Sequence, residues 1–336
     1  MGRRDGQGAG QGRGWYGTLG RPAFFALPPE ASHRVAIALL GLPLPWERIG
    51  RAERNPSLGV EVCGIPLPNP IGLAAGFDKA CRRLGALGRL GFGFVVGGTV
   101  TRHPRRGNPK PRIVRDPDRR AIVNAMGMPN PGAEAAARSL ARSARTSPRF
   151  VSLADEAIDD ASAALELLAP HADAIELNAS SPNAPWRHDP AHLRRLLDAF
   201  RTRTDRPLLL KLPPFSGEEG RAVVLGVARD AVDAGVSGLV CSNTVPVEEP
   251  RLAAGRGGLS GGPLTTRTPE IVREVAAATG RAVPIVACGG IFTVDDVRAC
   301  IDAGARAVEV YTGLIYSGPG ILSEVTRGLL RDEKEA

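Results

Sequence analysis

At 336 residues with 43% hydrophobic side chains, the chain is long enough for one large α/β domain and too apolar to be a disordered polyelectrolyte. Its 43 Lys and Arg against 35 Asp and Glu leave a net charge of +8, which suggests nucleic acid or an anionic membrane surface as a partner. Aromatic residues make up only 4% and no basic helix interleaves with them, so a base-stacking surface is not expected.

In chain order, residues 1–14 open a Gly/Arg-rich stretch, MGRRDGQGAGQGRGWYGTLG, which lacks apolar periodicity and is expected to be mobile. Residues 15–50 read as a separate helical unit. The apolar run Phe24, Phe25, Ala26, Leu27 leads through Pro28-Pro29-Glu30 into a helix over 31–40, stopped by Gly41, Pro43, Pro45 and Trp46. This unit either packs on the following domain or lies in a membrane interface as an amphipathic hairpin. Its longest apolar stretch, 35–42, is far short of the roughly 20 residues that a spanning helix needs.

From 51 to 330 the chain alternates. Short apolar runs occur at 71–74, 94–96, 150–153, 174–177, 208–212, 238–241, 285–287 and 307–311, with helical patterns at 156–168, 190–202, 217–234, 269–279 and 293–303. Runs that are apolar on both faces fit parallel strands covered by helices. Eight of them predict an α/β fold of the (β/α)8 TIM-barrel type with the N-terminal helical hairpin as an extension, and an open doubly wound sheet is the alternative. Residues 331–336 are expected to form a tail.

A barrel gathers its functional groups just past the carboxyl ends of its strands. Here the runs lead into Gly76-Phe77-Asp78-Lys79, Thr99, Ser152, Asn178 with Ser181, Lys211, Ser242-Asn243-Thr244, Gly289-Gly290 and Tyr311-Thr312. The last two corners are where barrels often hold a phosphate on backbone N–H groups, and the stretch 257–262, read as a flexible glycine loop, adds to them. Together the glycines favour a phosphorylated cofactor.

The chain has four lysines, Lys79, Lys110, Lys211 and Lys334. Lys211, inside PLLLKLPP, must find a partner or suffer desolvation. It either snorkels outward or places a cation near a redox ring, stabilising a reduced, anionic cofactor. Lys79 is either solvated or set to meet an anionic ligand.

His188 and His192 stand four apart, but without an accompanying carboxylate motif no metal site is expected. The five cysteines, at 63, 81, 241, 288 and 300, show no metal-ligand spacing, and their odd number without an apolar leader suggests a reducing cytoplasm. For the same reason the Asn178-Ala179-Ser180 pattern is not expected to be glycosylated. A Gly-x-Ser-x-Gly elbow is also missing, so a conventional serine hydrolase is not indicated.

The motifs NPIGLAAGFDK (69–79), GFGFVVGGTVTRHPRRGNPKPRIVR (91–115), NAMGMPN (124–130), LNASSPNAP (177–185), LLLKLPP (208–214), SNT (242–244), GGLSGGPL (257–264), CGGI (288–291) and YTGLIYSGPG (311–320) follow one another in order. Together they resemble the dihydroorotate dehydrogenase family, in its quinone-linked, membrane-associated class. The resemblance implies an FMN barrel that oxidises dihydroorotate to orotate in pyrimidine synthesis and passes the electrons to a membrane quinone. It implies peripheral contact with the cytoplasmic side of the cell membrane through the hairpin.

By the same resemblance, FMN would contact Ala75, Gly76, Lys79, Thr99, Asn178, Lys211, Ser242, Gly261, Gly290, Tyr311 and Thr312. The substrate would meet Lys79, Asn124, Asn178, Asn183, Asn243 and Thr244, with Ser181 as catalytic base, while His33 and Arg115 would belong to the quinone side. The chain departs from the family pattern at Ser152 to Asp155, where an Asn and a Gly-Lys-Asn loop are usual, and at Ala125, Met128, Ala184 and Trp186. Trp186, in place of a glycine, is expected to stiffen and fill the active-site loop. These departures keep two alternatives in view: an FMN barrel acting on another small substrate, and a flavin-dependent RNA-modifying or nucleic-acid-binding barrel.

Overall fold

The computed structural model describes residues 15–181 and 184–332. The expected mobile N-terminus (1–14), Asn183 and the end of the C-terminal tail (333–336) lie outside them.

Eight parallel strands close a barrel in sequential order: β1 (Ile71–Leu73), β2 (Phe94–Val100), β3 (Arg149–Ala154), β4 (Ala174–Asn178), β5 (Leu208–Leu212), β6 (Gly238–Cys241), β7 (Ile285–Cys288) and β8 (Ala305–Val310). Closure is made by β8 against β1, with Val310 opposite Leu73, and it excludes the open-sheet alternative. The strands read as continuous apolar runs because both faces are covered. Val95, Val151, Ile175 and Leu210 pack outward with the helices, while Phe94, Val96, Phe150 and Leu209 fill the interior.

A hairpin, Val60–Val62 and Ile65–Leu67, plugs one end of that interior with Val62 and Leu67. Its turn places Cys63 at φ 54° and Gly64 at φ 77°, the left-handed pair that a type I′ turn requires.

The expected helices appear as Ile158–Leu168, Pro190–Arg201, Gly217–Asp233, Arg267–Ala278 and Val294–Asp302. The last is held by a capping box between Thr293 and Asp296. Leu84–Arg89, Ala133–Arg142 and Gly320–Asp332 complete the outer layer, and the last of these carries regular structure past residue 330.

An antiparallel sheet that the sequence did not suggest contains, in spatial order, Val245–Glu248, Arg256–Gly261, Ala121–Asn124 and Ile113–Asp116. The stretch expected as a flexible loop at 257–262 is therefore mostly strand. Its glycines serve close approach: a Cβ on Gly258 would meet Thr244 Oγ1 at 2.0 Å, and one on Gly257 the Asn124 carbonyl at 2.7 Å.

The N-terminal unit is a helical hairpin, α1 (Arg21–Ala26) and α2 (Pro29–Leu39), followed by a short helix at Trp46–Gly50 where the sequence suggested only a stop. It is docked by specific bonds. The Tyr16 hydroxyl donates to the Ile315 carbonyl at 2.7 Å, Arg83 Nε to Ile37 at 3.1 Å, and Arg112 to Glu30 at 2.8 Å. Yet of the nine exposed large hydrophobic residues among those described, seven lie between 15 and 44, so docking leaves an apolar face in the open. No helix among the described residues is long and apolar enough to cross a membrane.

Candidate active site

A cavity of about 1930 Å³ runs from the barrel interior, past the loops after the strands, to the inner side of the N-terminal hairpin. Of the described residues that the resemblance assigns to cofactor, substrate, base or quinone side, all but Ser242 line it. Ser242 is 2% exposed at the end of β6, and its N–H donates to the Cys288 carbonyl at 3.0 Å.

Lys211, on β5, reaches the cavity from below. It does not snorkel: its ammonium donates to Glu309 Oε2 on β8 at 2.8 Å and lies 3.6 Å from Glu176 Oε2 on β4. Burial works against the charge, but the Glu176 and Glu309 carboxylates beside it outweigh burial and hold the pKa well above the ordinary lysine value. The sequence signal for these carboxylates was available, since Glu176 and Glu309 are the lone acidic residues in largely apolar strands.

At the ends of β2 and β4 the polar groups form a relay of hydrogen bonds. Asn178 Nδ2 donates to Thr99 Oγ1 at 3.0 Å, and Thr99 Oγ1 stands 3.0 Å from Ser152 Oγ. The Ser180 hydroxyl bonds Asn178 Oδ1, and Asn243 Nδ2 donates to Ser180 Oγ at 2.5 Å. The Asn243 Oδ1 in turn accepts the Thr244 N–H at 2.7 Å. Each amide thus has a fixed orientation before any ligand arrives. Asn124, on the antiparallel sheet, faces the same space and donates to the Gly258 carbonyl at 3.4 Å.

Lys79 lies on the loop after β1, which bends through Gly76 at φ 98°. Its ammonium donates to the Gly76 carbonyl, and burial, aided by the Arg112 charge, lowers its pKa to about 8. This is not a solvated surface lysine. An anion arriving beside it would restore the full charge.

The glycine corner is also built tightly. Gly289 and Gly290 have φ values of 123° and 71°, and a Cβ on Gly290 would meet Thr265 N at 2.4 Å. A Cβ on Gly261 would meet the Arg120 carbonyl at 2.2 Å, and Thr312 Oγ1 donates to Ser260 Oγ at 2.9 Å. Ala75 and Tyr311 close the wall beside it.

Ser181 lies on the cavity wall just before the undescribed pair 182–183. Its carbonyl accepts from the Ala184 N–H and from Arg187 Nε, each at 3.1 Å. Trp186, expected to stiffen and fill the active-site loop, packs beneath that loop and not into the cavity. The indole is 5% exposed within the core, and Nε1 donates to the Ala179 carbonyl at 2.7 Å, so it braces the loop from beneath.

The sequence reading missed a second brace. Asp155, in one of the departing positions, bonds His192 Nε2 at 2.8 Å with both side chains buried. His188 precedes the helix Pro190–Arg201, so the two histidines do not share a helical face.

Toward the hairpin, His33 Nε2 donates to the Phe77 carbonyl at 2.7 Å, and burial lowers its pKa to about 4, which keeps the ring neutral. Aromatic contacts then lead inward, from His33 to Phe77 at 5.5 Å and from Phe77 to Tyr311 at 6.0 Å. Arg115 donates to the Leu27 carbonyl at 2.9 Å and to Ser32 Oγ at 2.8 Å, fastening the link between α1 and α2.

Residues 57–332 match the family model described as dihydroorotate dehydrogenase. The chain belongs to the dihydroorotate dehydrogenase family. It is 42% identical to the dihydroorotate dehydrogenase (quinone) of Chloroflexus aurantiacus, over 94% of this chain and 96% of the relative. To the enzyme of the same name from Erythrobacter litoralis it is 41% identical, over 95% of each. The crystal structure of the DHODH of Eimeria tenella in complex with ferulenol superposes with a TM-score of 0.80, at 30% identity over 92% of each chain.

The family implies a flavin, and the residues present fit one. A cationic floor at Lys211 and fixed amides at Asn178 suit the ring. The cradle at Gly261 and Gly290, which any side chain would fill, leaves the backbone free to approach a phosphate.

Proposed function

We propose that the chain oxidises dihydroorotate to orotate in pyrimidine biosynthesis, with FMN as the flavin and a membrane quinone as the final electron acceptor. The observation that carries this reading is the convergence of Lys79, Asn124, Asn178, Asn243, Thr244 and Ser181 on one cavity above Lys211. FMN bound there supplies a two-electron acceptor and its return path to the quinone.

The chain's own residues do the rest. Lys79 meets the substrate carboxylate. Asn124, Asn178, Asn183 and Asn243, with Thr244, hold a planar ring of carbonyl and N–H groups, because amides both donate and accept. Ser181 takes the proton from C5, with its loop braced by Trp186 and by the Asp155–His192 pair. Lys211 would set its ammonium beside bound FMN, where it would stabilise the negative charge gained on reduction. Ala75, Gly76, Thr99, Ser242, Gly261, Gly290, Tyr311 and Thr312 surround the FMN, Ser242 through its place at the end of β6. Trp186 and Ala184 are buried off the cavity, which favours dihydroorotate over another substrate.

His33 and Arg115 stand on the quinone side, where the cavity opens between the hairpin and the barrel. The exposed apolar face of residues 15–44 supports peripheral contact with the cytoplasmic side of the cell membrane. The test is direct. Dihydroorotate added without oxygen should bleach the bound flavin, and a quinone should restore its colour. Purified protein with no flavin spectrum, or with a flavin that dihydroorotate leaves oxidised, overturns the proposal.

A further inference from the structure

The barrel interior holds one more charged group than its lysine can balance. Lys211, Glu176 and Glu309 are 4%, 1% and 1% exposed. Lys211 and Glu309 form a direct pair at 2.8 Å and neutralise each other. Glu176 is the surplus: its nearest cation is 3.6 Å away, and neither of its oxygens makes a hydrogen bond. An ionised carboxylate left so is costly, and protonation removes the cost.

Burial is the main cause that raises the Glu176 pKa, to about 7; Lys211 opposes the rise and Glu309 adds to it. The Ser152 hydroxyl on β3 favours the ionised form without reaching hydrogen-bond geometry. On β7, burial pushes Cys288 up to about 12, so it stays a neutral thiol.

The layering matters. Lys211 and Glu309 line the cavity, whereas Glu176 sits beneath them. From Glu176, Ser152 leads to Thr99 at 3.0 Å between hydroxyls, and Thr99 opens on the cavity. This hydroxyl pair gives a proton a polar route to an otherwise sealed carboxyl. It also gives a use to Ser152, one of the positions where the chain departs from its family.

We infer that Glu176 is a proton-holding residue of the flavin site that acts through Lys211, taking up one proton when the bound flavin receives two electrons and releasing it when they leave. The inference rests on the proposed flavin enzyme. New negative charge beside Lys211 draws on the ammonium that otherwise favours ionised Glu176, so the carboxyl gains a proton from water. Over a turnover, dihydroorotate loses two electrons and two protons and the quinone gains both. The Glu176 proton is borrowed and returned, and the overall balance is unchanged. Glu176 touches neither substrate nor cofactor and is a positioning residue for the charge on Lys211.

The experiment is the midpoint potential of the flavin in the holoenzyme, titrated across about two pH units on either side of 7, in wild type and in Glu176→Gln. The wild-type potential should fall more steeply with pH, by up to about 30 mV per unit, the two-electron equivalent of one further proton. Parallel slopes with flavin bound overturn the inference alone. A chain that takes up no flavin overturns the functional reading and this inference with it.

Should the variant fail to fold, the infrared difference spectrum of unmodified holoenzyme decides the matter. Reduction should add a carboxylic-acid C=O band, and its absence refutes the inference.

Discussion

Lys211, Glu176 and Glu309 lie inside the barrel at 4% exposure or less, whereas Trp15, Leu19 and Leu42 in the N-terminal extension are 59%, 72% and 48% exposed. Charge belongs in water and large apolar side chains out of it, so both regions break the ordinary rule, in opposite senses. In the barrel the inverted charges cluster at the floor of the cavity, where chemistry needs them. In the extension, large apolar side chains stand exposed without burial among the described residues, as expected of a surface made for something else. The comparison teaches a division of labour within one chain, with chemistry in the barrel and, on the proposed function, attachment in the hairpin.

The largest expected effect tests the barrel's side of that division. Ser181→Ala should slow flavin reduction by dihydroorotate about 10²–10⁴-fold in stopped-flow measurements, with flavin content unchanged. Retention on lipid vesicles should also be unchanged, and a parallel loss of both would break the division.

Next comes the converse. Leu19→Glu combined with Leu42→Glu should weaken co-sedimentation with vesicles about 100-fold or more, given about 1.5–3 kcal/mol for each buried leucine. Reduction by dihydroorotate should stay at the wild-type rate. Undiminished sedimentation would mean that the exposed face serves another partner.

A third, smaller effect sharpens the electrostatics of the barrel. Lys79 has its pKa lowered to about 8, and only its charged form attracts a carboxylate. Orotate binding, followed through the flavin spectrum, should therefore be constant below that pH and weaken above it, toward about tenfold per unit. Lys79→Met should bind more weakly and lose the pH dependence over this range.

Smallest of all, Trp186→Phe removes the indole bond to the Ala179 carbonyl and should cost about 1–2 kcal/mol, read as a modest drop in Tm. A collapse of substrate turnover with little change in Tm would show that the indole serves the cavity rather than the core.

The eight strands could be read from sequence because each is buried on both faces and so appears as an unbroken apolar run. The antiparallel sheet could not. Its strands are four to six residues long and partly exposed, and Arg256–Gly261 carries three glycines that look like loop. At the site, the residues past the strand ends were legible because barrels place function there. What joins them was not: the Lys211–Glu309 pair spans 98 positions, and the Asp155–His192 pair spans 37. Such partners meet only when the barrel closes. Which side of its loop Trp186 packs on was not legible for the same reason, since nothing local says whether an indole points into a cavity or a core.

The hairpin that plugs the barrel has a consequence for how the chain is made. Val62 and Leu67 pack against Phe94, Phe150, Leu209, Val240, Val286 and Ala307, so the plug's packing surface is gathered from nearly the whole sequence. During synthesis, an early hairpin has to wait until the eighth strand has left the ribosome before its apolar side is covered. Until then the partial barrel presents open strand edges, the state in which growing chains most readily mispair and in which chaperones act.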